Sequence, residues 1–224
     1  MAATDGISAR EFHASDGVED WRVLLQRACT VFRTGDFSTG VEFVRAIGAL
    51  ADAADHHPDV DLRYSAVTVR LSSHDVGGLS RRDVALAQQI STAALALGVE
   101  ADPRAAQLIE IAIDVMDGSA VEPFWRAILG LRAGDLDSET GAHELSDALG
   151  ALPAVWFQQM DEPRVQRNRI HIDVSVAHDE ANQRIERALA AGGVLVSDVE
   201  APAFWVLRDA EGNEACVSTW QGRE

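Results

Sequence analysis

The chain contains no lysine: all 19 of its basic residues are arginine. Schiff-base chemistry and a phosphate-loop lysine are therefore excluded, because both need a primary amine. A GC-rich coding bias produces the same absence. Cysteine is scarce too. Cys29 and Cys216 lie far apart, and an intracellular chain keeps its thiols reduced, so no disulfide framework is expected. No apolar run approaches the roughly 20 residues that a membrane span needs, and the opening MAATDGISAREF has neither the basic nor the apolar segment of a secretory signal. The expectation is a soluble cytoplasmic protein with no membrane partner. Clustered positive charge is also missing. Among 224 residues, 36 acids outweigh the arginines for a net charge of −17; dividing the chain after Pro103 leaves 9 Arg against 15 acids (−6), then 10 against 21 (−11). Neither half offers the basic surface that phosphate backbones or anionic lipids require, so nucleic acid is not an expected ligand.

What is present is enough apolar sequence, 47%, to bury one large core or two of about a hundred residues each. Residues 1–18 are polar, with a turn or two of helix at 7–12. Residues 21–25 and 28–33 read as two strands that pair as a hairpin. From Asp36 the period changes: Phe37, Val41, Val44, Gly48 and Ala51, widened by Phe43, Ile47 and Leu50, predict an amphipathic helix to about Ala54, capped by Asp36 or Ser38. Val67, Val69 and Leu71 then alternate with polar residues as a half-buried strand. Ser80 caps a second helix that runs through Val84, Ala87, Ile90, Ala94 and Leu97 and stops at Gly98. Two strands and a helix, repeated, make an α+β fold, a two-layer antiparallel sheet with helices on one face.

A polar joint containing Pro103 separates residues 1–102 from a second domain at 103–224. There, strands are expected at 108–115, 154–159, 170–176, 194–197, 204–207 and 215–218, with helices at 119–129 and 178–191. The order repeats over units of roughly sixty residues, and superposing the two places Glu110 opposite His171.

Of the seven histidines, His56 and His57 stand at the end of the first helix and His74 just past a strand. Loop ends on a rigid scaffold are where catalytic groups gather. Imidazoles titrate nearest neutrality, so neighbouring ones supply a proton donor and an acceptor in one pocket. A solvated helix end is the plainer reading of an HH pair taken alone. The spacing goes further. Asp52-Ala-Ala-Asp-His56-His57-Pro58-Asp59, then Tyr64, Ser72-Ser-His74-Asp75, Gly78-Leu79-Ser80 and Asp83, together with Trp21 and Phe43, resemble the signature of the pterin-4a-carbinolamine dehydratases over about residues 8–100. That resemblance implies catalysis by His56, His57 and His74, with Asp52, Asp55, Ser73 and Asp75 binding the substrate. Asp52 stands where many members carry glutamate, one methylene longer. Asp55 and Asp75, like Asp59 and Asp61, read equally as solvated loop acids, and Asp83 as a residue that stabilises the positive end of its helix. The implied reaction is loss of water from 4a-hydroxytetrahydropterin (the tetrahydrobiopterin carbinolamine) to give the quinonoid dihydropterin. As a hydro-lyase step it asks for proton transfer and no cofactor.

Residues 107–220 resemble the vicinal-oxygen-chelate superfamily, the glyoxalase- and dioxygenase-like proteins built from two βαβββ modules. The residues carrying this are Phe124-Trp125 and Leu129-Gly130, Val155-Trp156-Phe157-Gln158 with Glu162-Pro163, Asn168 to Asp173, and Asp209 to Asn213. The resemblance implies a small-molecule cleft lined by Glu110, Trp156, Gln158, His171 and Cys216. No metal is assigned to it, because a carboxylate, an amide, an imidazole and a thiol do not make the His/carboxylate set expected for magnesium, manganese or iron. Trp125, Trp156 and Trp205 line an apolar pocket for a flat ligand or belong to the core. Two further functions stand beside the dehydratase: a dimeric binding scaffold in the first half, and a metal-dependent glyoxalase- or dioxygenase-like enzyme in the second. The first resemblance also implies a homodimer or higher homo-oligomer, in keeping with the prevalence of two-fold assemblies. Sedimentation at micromolar concentration should therefore give a particle of at least twice 24.1 kDa, and a monomer would contradict it.

Overall fold

The alternation of Val67, Val69 and Leu71 does what its period dictates. All three side chains are completely buried on one face of a strand whose intervening residues are only partly covered. The computed structural model describes residues 6–119, 122, 131–162, 170–190, 193–208 and 214–223. They fall into two compact units: Met1–Gln107 with Val176–Ala181 and Thr219–Glu224, and Leu108–Ser175 with Asn182–Ser218.

In the first unit the elements are β1 (Gly6–Ile7), α1 (Ala9–His13), β2 (Arg22–Leu24), β3 (Arg27–Arg33), α2 (Phe37–Ala54), β4 (Asp59–Arg63), β5 (Ala66–Leu71), β6 (Leu79–Ser80), α3 (Arg81–Ala96) and β7 (Glu100–Ala101). An antiparallel sheet runs in the order β2-β3-β5-β4, with β7 added at the end of β3 and β1 paired separately with β6. Opposite the buried face of β5 lie Ala28, Thr30 and Phe32 of β3, in register with Leu71, Val69 and Val67. Against that face pack Phe43 and Ile47 of α2 and Leu86, Ala87 and Ile90 of α3, all at most 1% exposed. Each large side chain removed from water in this way contributes roughly 1.5–3 kcal/mol.

Asp36 caps α2 by accepting the Thr39 N–H at 2.9 Å, which settles the choice between Asp36 and Ser38. The helix's inward stripe is Gly40, Phe43, Ile47 and Ala51. Of the expected stripe Phe43, Ile47 and Ala51 are buried, whereas Phe37 and Val41, at its start, are 49% and 38% exposed. The segment carries apolar residues on two adjoining faces, and periodicity alone does not say which of them meets the sheet.

The second unit is built on one eight-stranded sheet from β8 (Gln107–Val115), β9 (Arg132–Leu136), β10 (His143–Ser146), β11 (Ala154–Gln159), β12 (Ile170–Val176), β13 (Val194–Ser197), β14 (Phe204–Arg208) and β15 (Glu214–Ser218), with α4 (Ala181–Ala190) between β12 and β13. Its order is β13-β14-β15-β12-β8-β11-β10-β9. Within each half the first strand pairs in parallel with the fourth, β8 with β11 and β12 with β15, and the described pairings of the two strands between are antiparallel. The four described strands of each half thus follow one plan, and the second half carries its helix, α4, after its first strand. Sequence reading passes over β9 and β10 because β9 is exposed throughout and β10 buries only Leu145, so neither shows a half-buried alternation. The helix expected from His178 begins at Ala181; His178, Asp179 and Glu180 form a turn closed by Glu180 N–H to Ala177 O at 2.9 Å. The helix expected at 119–129 lies mostly outside the described residues, as do Trp125 and the 163–169 and 209–213 segments.

Among the described residues no helix is long and apolar enough to cross a membrane. Cys29 and Cys216 are both buried and neither is in a disulfide, and burial pushes the Cys29 thiol up to about 12.

Two glycines should respond oppositely to substitution by alanine. At Gly118 a Cβ would stand 2.7 Å from the Thr140 carbonyl oxygen and 2.8 Å from the Ala142 Cβ, so Gly118→Ala should cost about 1–3 kcal/mol. At Gly48, inside α2, nothing lies within 4 Å, and Gly48→Ala should stabilise by about 0.5–1 kcal/mol. Urea denaturation of the two variants checks both signs.

Candidate active site

The path into the site begins where α2 ends. Asp55 takes up the left-handed conformation at φ 46° and donates its N–H to the last carbonyls of the helix, and the next residue, His56, donates its N–H to Ala51 O at 3.1 Å. Aspartate is among the few non-glycine residues that adopt this conformation readily. The reversal turns the His56 ring inward, leaving the residue 7% exposed, while His57 stays at the surface. His56 Nε2 lies 2.7 Å from Asp83 Oδ1.

Asp83 is the third residue of α3 and completely buried. Its second oxygen accepts the Ser80 N–H at 2.7 Å and the Ser73 hydroxyl at 2.8 Å, and the Ser73 and Ser80 hydroxyls meet at 2.7 Å. An isolated carboxylate taken out of water costs several kcal/mol. Here three donors and the positive end of a helix surround it. The arrangement is a capping box, Ser80 with Asp83, whose carboxylate also orients an imidazole 27 residues away in sequence.

His74 sits at the tip of a tight loop closed by Ser73 N–H to Gly78 O at 2.7 Å, with Gly77 supplying the positive φ of 65°. It is exposed, and its ring forms no hydrogen bond among the described residues. The neighbouring Asp75 accepts a hydrogen bond from Arg82, which holds its carboxyl below the usual range. Arg82 Nε in turn lies 3.3 Å from Ser80 Oγ, so the loop tip is tied back to the start of α3. On the other side His57 Nε2 meets Asp52 Oδ1 at 3.0 Å, both groups exposed.

These residues surround one cavity of about 470 Å³, lined by His56, His57 and His74 with Asp55, Pro58, Asp59, Ser72, Ser73, Asp75 and Arg82. All three expected histidines converge there, and so do Asp55, Ser73 and Asp75. Asp52 is joined to it only through His57. Sequence reading missed Arg82 as a wall of the cavity, and it credited Asp83 only with stabilising its helix. The S-x-x-D spacing announces the cap; nothing local announces the distant histidine.

In the second unit Glu110, Trp156 and Gln158 share one face of the sheet, because Ala154 is in register with Glu110, Trp156 with Ala112, and Gln158 with Asp114. Ile113, Val115, Val155 and Phe157 form the core on the opposite face. Cys216 is in register with Asp173, both 8% exposed, and Ser175 and Ser218 beside them share a hydrogen bond of 2.8 Å. Trp205 pairs with Val217 and so faces away from Cys216. His171 lies in β12, and its side chain is outside the described residues. Among the described residues no three His, Cys, Asp or Glu side chains are placed to hold a metal ion. Gln158, a neutral amide, is a poor metal ligand.

Two family profiles match the chain, one described as pterin 4 alpha carbinolamine dehydratase over residues 6–93 and one as a glyoxalase-like domain over residues 110–218. Proteins of Chloroflexus aurantiacus and Cyanothece sp., both named "Putative pterin-4-alpha-carbinolamine dehydratase", are 42% and 43% identical over 71 and 72 residues. Each alignment covers 32% of this chain, and 76% and 74% of the respective relative. Among solved structures, a transcriptional coactivator/pterin dehydratase from Brucella melitensis is 28% identical, covering 38% of this chain and 90% of that one with a TM-score of 0.34. A glyoxalase/bleomycin resistance protein/dioxygenase superfamily member from Vibrio splendidus is 13% identical, covering 51% and 99% with a TM-score of 0.35.

Removing the buried carboxylate should be costly whatever its chemical role. Asp83→Ala leaves His56, Ser73 and the Ser80 N–H without their acceptor and should destabilise the first unit by about 3–5 kcal/mol. Asp59→Ala, at the exposed rim with only Arg27 3.9 Å away, should cost far less. Thermal denaturation of both variants tests the contrast, and equal melting temperatures would contradict the network.

Proposed function

Because the chain belongs to the pterin-4-alpha-carbinolamine dehydratase family through its first half and carries a glyoxalase-like domain in its second, we propose that it catalyses the dehydration of a 4a-hydroxytetrahydropterin. The observation that carries this reading is the single cavity walled by three imidazoles. Its volume suits a bicyclic ligand, being within the roughly 300–1,000 Å³ typical of small-molecule sites. Its walls also offer both proton donors and acceptors.

The reaction removes a proton from N5 and the hydroxyl from C4a. With Asp83 accepting at Nε2, the His56 proton sits on that nitrogen and Nδ1 carries the lone pair. His56 is then the base that takes the N5 proton, and the electron pair left behind forms the N5–C4a double bond as the C4a–O bond breaks. His74, exposed and with no ring hydrogen bond among the described residues, is the acid that protonates the departing oxygen, so that water leaves. Both imidazoles return to their starting states by exchange with solvent. His57 and Asp52 form a polar wall that binds the pterin, with Asp55 at the same rim. Ser73 acts through Asp83, its hydroxyl being engaged there, and Asp75 through Arg82. The step balances without electron transfer, so no cofactor is assigned.

Residues 1–102 make up the dehydratase-like domain in this reading, and 103–224 an accessory glyoxalase-like domain. We assign the latter a small-molecule cleft at Glu110, Trp156, Gln158, His171 and Cys216. The protein acts as a homo-oligomer in the cytoplasm.

The purified chain should accelerate dehydration of 4a-hydroxytetrahydropterin, followed by stopped-flow absorbance, and should do so in the presence of EDTA. His56→Ala and His74→Ala should each lower the rate by roughly 10²–10⁴-fold, and His57→Ala should act mainly on KM. A double variant His56→Ala/His74→Ala with wild-type turnover would remove the assignment.

A further inference from the structure

The dehydration chemistry makes no use of the last residues of the chain, yet Thr219–Glu224 and Val176–Ala181 both belong to the first unit. Trp220 packs against that unit's core, and Val176, Ala177 and Ala181 are at most 1% exposed. Two histidines and an ion pair stand where these segments meet the dehydratase elements. The His13 ring, at the end of α1, stacks on the Trp220 indole with centroids 5.4 Å apart and planes inclined by 24°. His178 lies edge-on to both, 5.1 Å from His13 and 5.6 Å from Trp220. Beside them Arg22 of β2 grips Asp179 through two hydrogen bonds of 2.8 and 3.2 Å.

We propose that His13 and Arg22 form a docking surface for the chain's own C-terminal segment and for the His178–Asp179 turn, a clamp that opens when its imidazoles take up protons.

The hydrogen bonds require both rings to be neutral. His13 Nε2 accepts the Val23 N–H at 3.2 Å, and His178 Nδ1 accepts the Trp220 indole N–H at 3.2 Å. An imidazolium has no acceptor nitrogen, so protonating either ring sets donor against donor. The charges around them add to the penalty. His13 faces His178, Arg22 and Asp179, and His178 faces Asp179, Arg22 and His13. The single anion in this group is already bonded to Arg22, with Arg104 Nε a further 3.5 Å away. Two imidazoliums would share that site with the Arg22 cation.

Burial, followed by the nearby cations, pushes His13 down to about 4, and burial likewise lowers His178. The Arg22 hydrogen bond holds Asp179 at about 2, so it stays charged throughout the relevant range. The sign follows from linkage. Undocked imidazoles titrate near 6.5 and the docked ones below that, so docking has its full strength above about pH 6.5 and loses it as pH falls from there toward the docked value. At pH 5.5 the docking equilibrium should weaken by roughly tenfold through His13, with His178 acting in the same direction, still above the chain's isoelectric point of about 4.7.

The clamp can be read on the full chain by proton–nitrogen NMR of its five tryptophan indoles, with the Trp220 signal assigned from Trp220→Phe. Between pH 7.5 and 5.5 the Trp220 indole N–H should lose protection from solvent exchange by at least about tenfold relative to the other four. In His13→Gln/His178→Asn, whose amide oxygens accept the same two hydrogen bonds without titrating, it should stay protected. The measurement needs no catalytic activity, so it fails or succeeds apart from the dehydratase assignment. Unchanged relative protection in the wild-type chain overturns the clamp, and that readout stands even if the double variant does not fold. Equal loss of protection in a folded double variant overturns the role of the imidazoles.

Discussion

A carboxylate with no access to water organises the first unit. Asp83 is tolerable there only because it is saturated with donors, and those donors come from three places in the chain: the end of α2 through His56, the end of β5 through Ser73, and the start of α3 through Ser80. Each of these segments brings something else with it. The end of α2 carries His57 and Asp55, and the loop beyond Ser73 carries His74 and Asp75. Meeting the hydrogen-bonding demand of one buried charge thus assembles most of the cavity wall. One carboxylate serves both ends of this arrangement: one oxygen completes the cap of α3 and the other meets the His56 ring.

Much of this was legible in the residues. The period of β5, the Ser80 cap, the span of α2 and the four-strand, two-helix order of the first unit follow from local physics, because half-burial writes itself as alternation and helix ends choose particular side chains. The histidines were legible through their spacing. What stayed hidden was of three kinds. The buried face of α2 depends on which of two apolar stripes meets the sheet, a tertiary matter. The pairing of His56 with Asp83 spans 27 residues and has no local signature. And β9, exposed along its whole length at the edge of a sheet, has no side to write a pattern on, since burial is what produces the pattern.

The second unit repeats one plan, with a parallel pair formed by the first and fourth strands of each half. That topology explains why the sequence repeat is faint while the structural one is plain: strand order survives almost any substitution that preserves one buried face. The polar residues described on its sheet, among them Glu110 and Gln158 in one half and Asp173, Ser175 and Ser218 in the other, differ between the halves. The glyoxalase-like half also encloses, in sequence, segments that belong to the first unit. Trp220, which belongs to the first unit, packs against that unit's core.

The central claim is that Asp83 holds the His56 ring with its proton on Nε2 and presents Nδ1 to a pterin. Imidazole nitrogen NMR of the full chain at pH 8, before and after addition of a dihydropterin, reads both parts at once. The account predicts a protonated Nε2 and a bare Nδ1 on His56 in the free protein, and a shift of that Nδ1 together with the His57 and His74 signals when the pterin binds. The opposite tautomer at His56, or a pterin that perturbs only histidines outside this cavity, would contradict it.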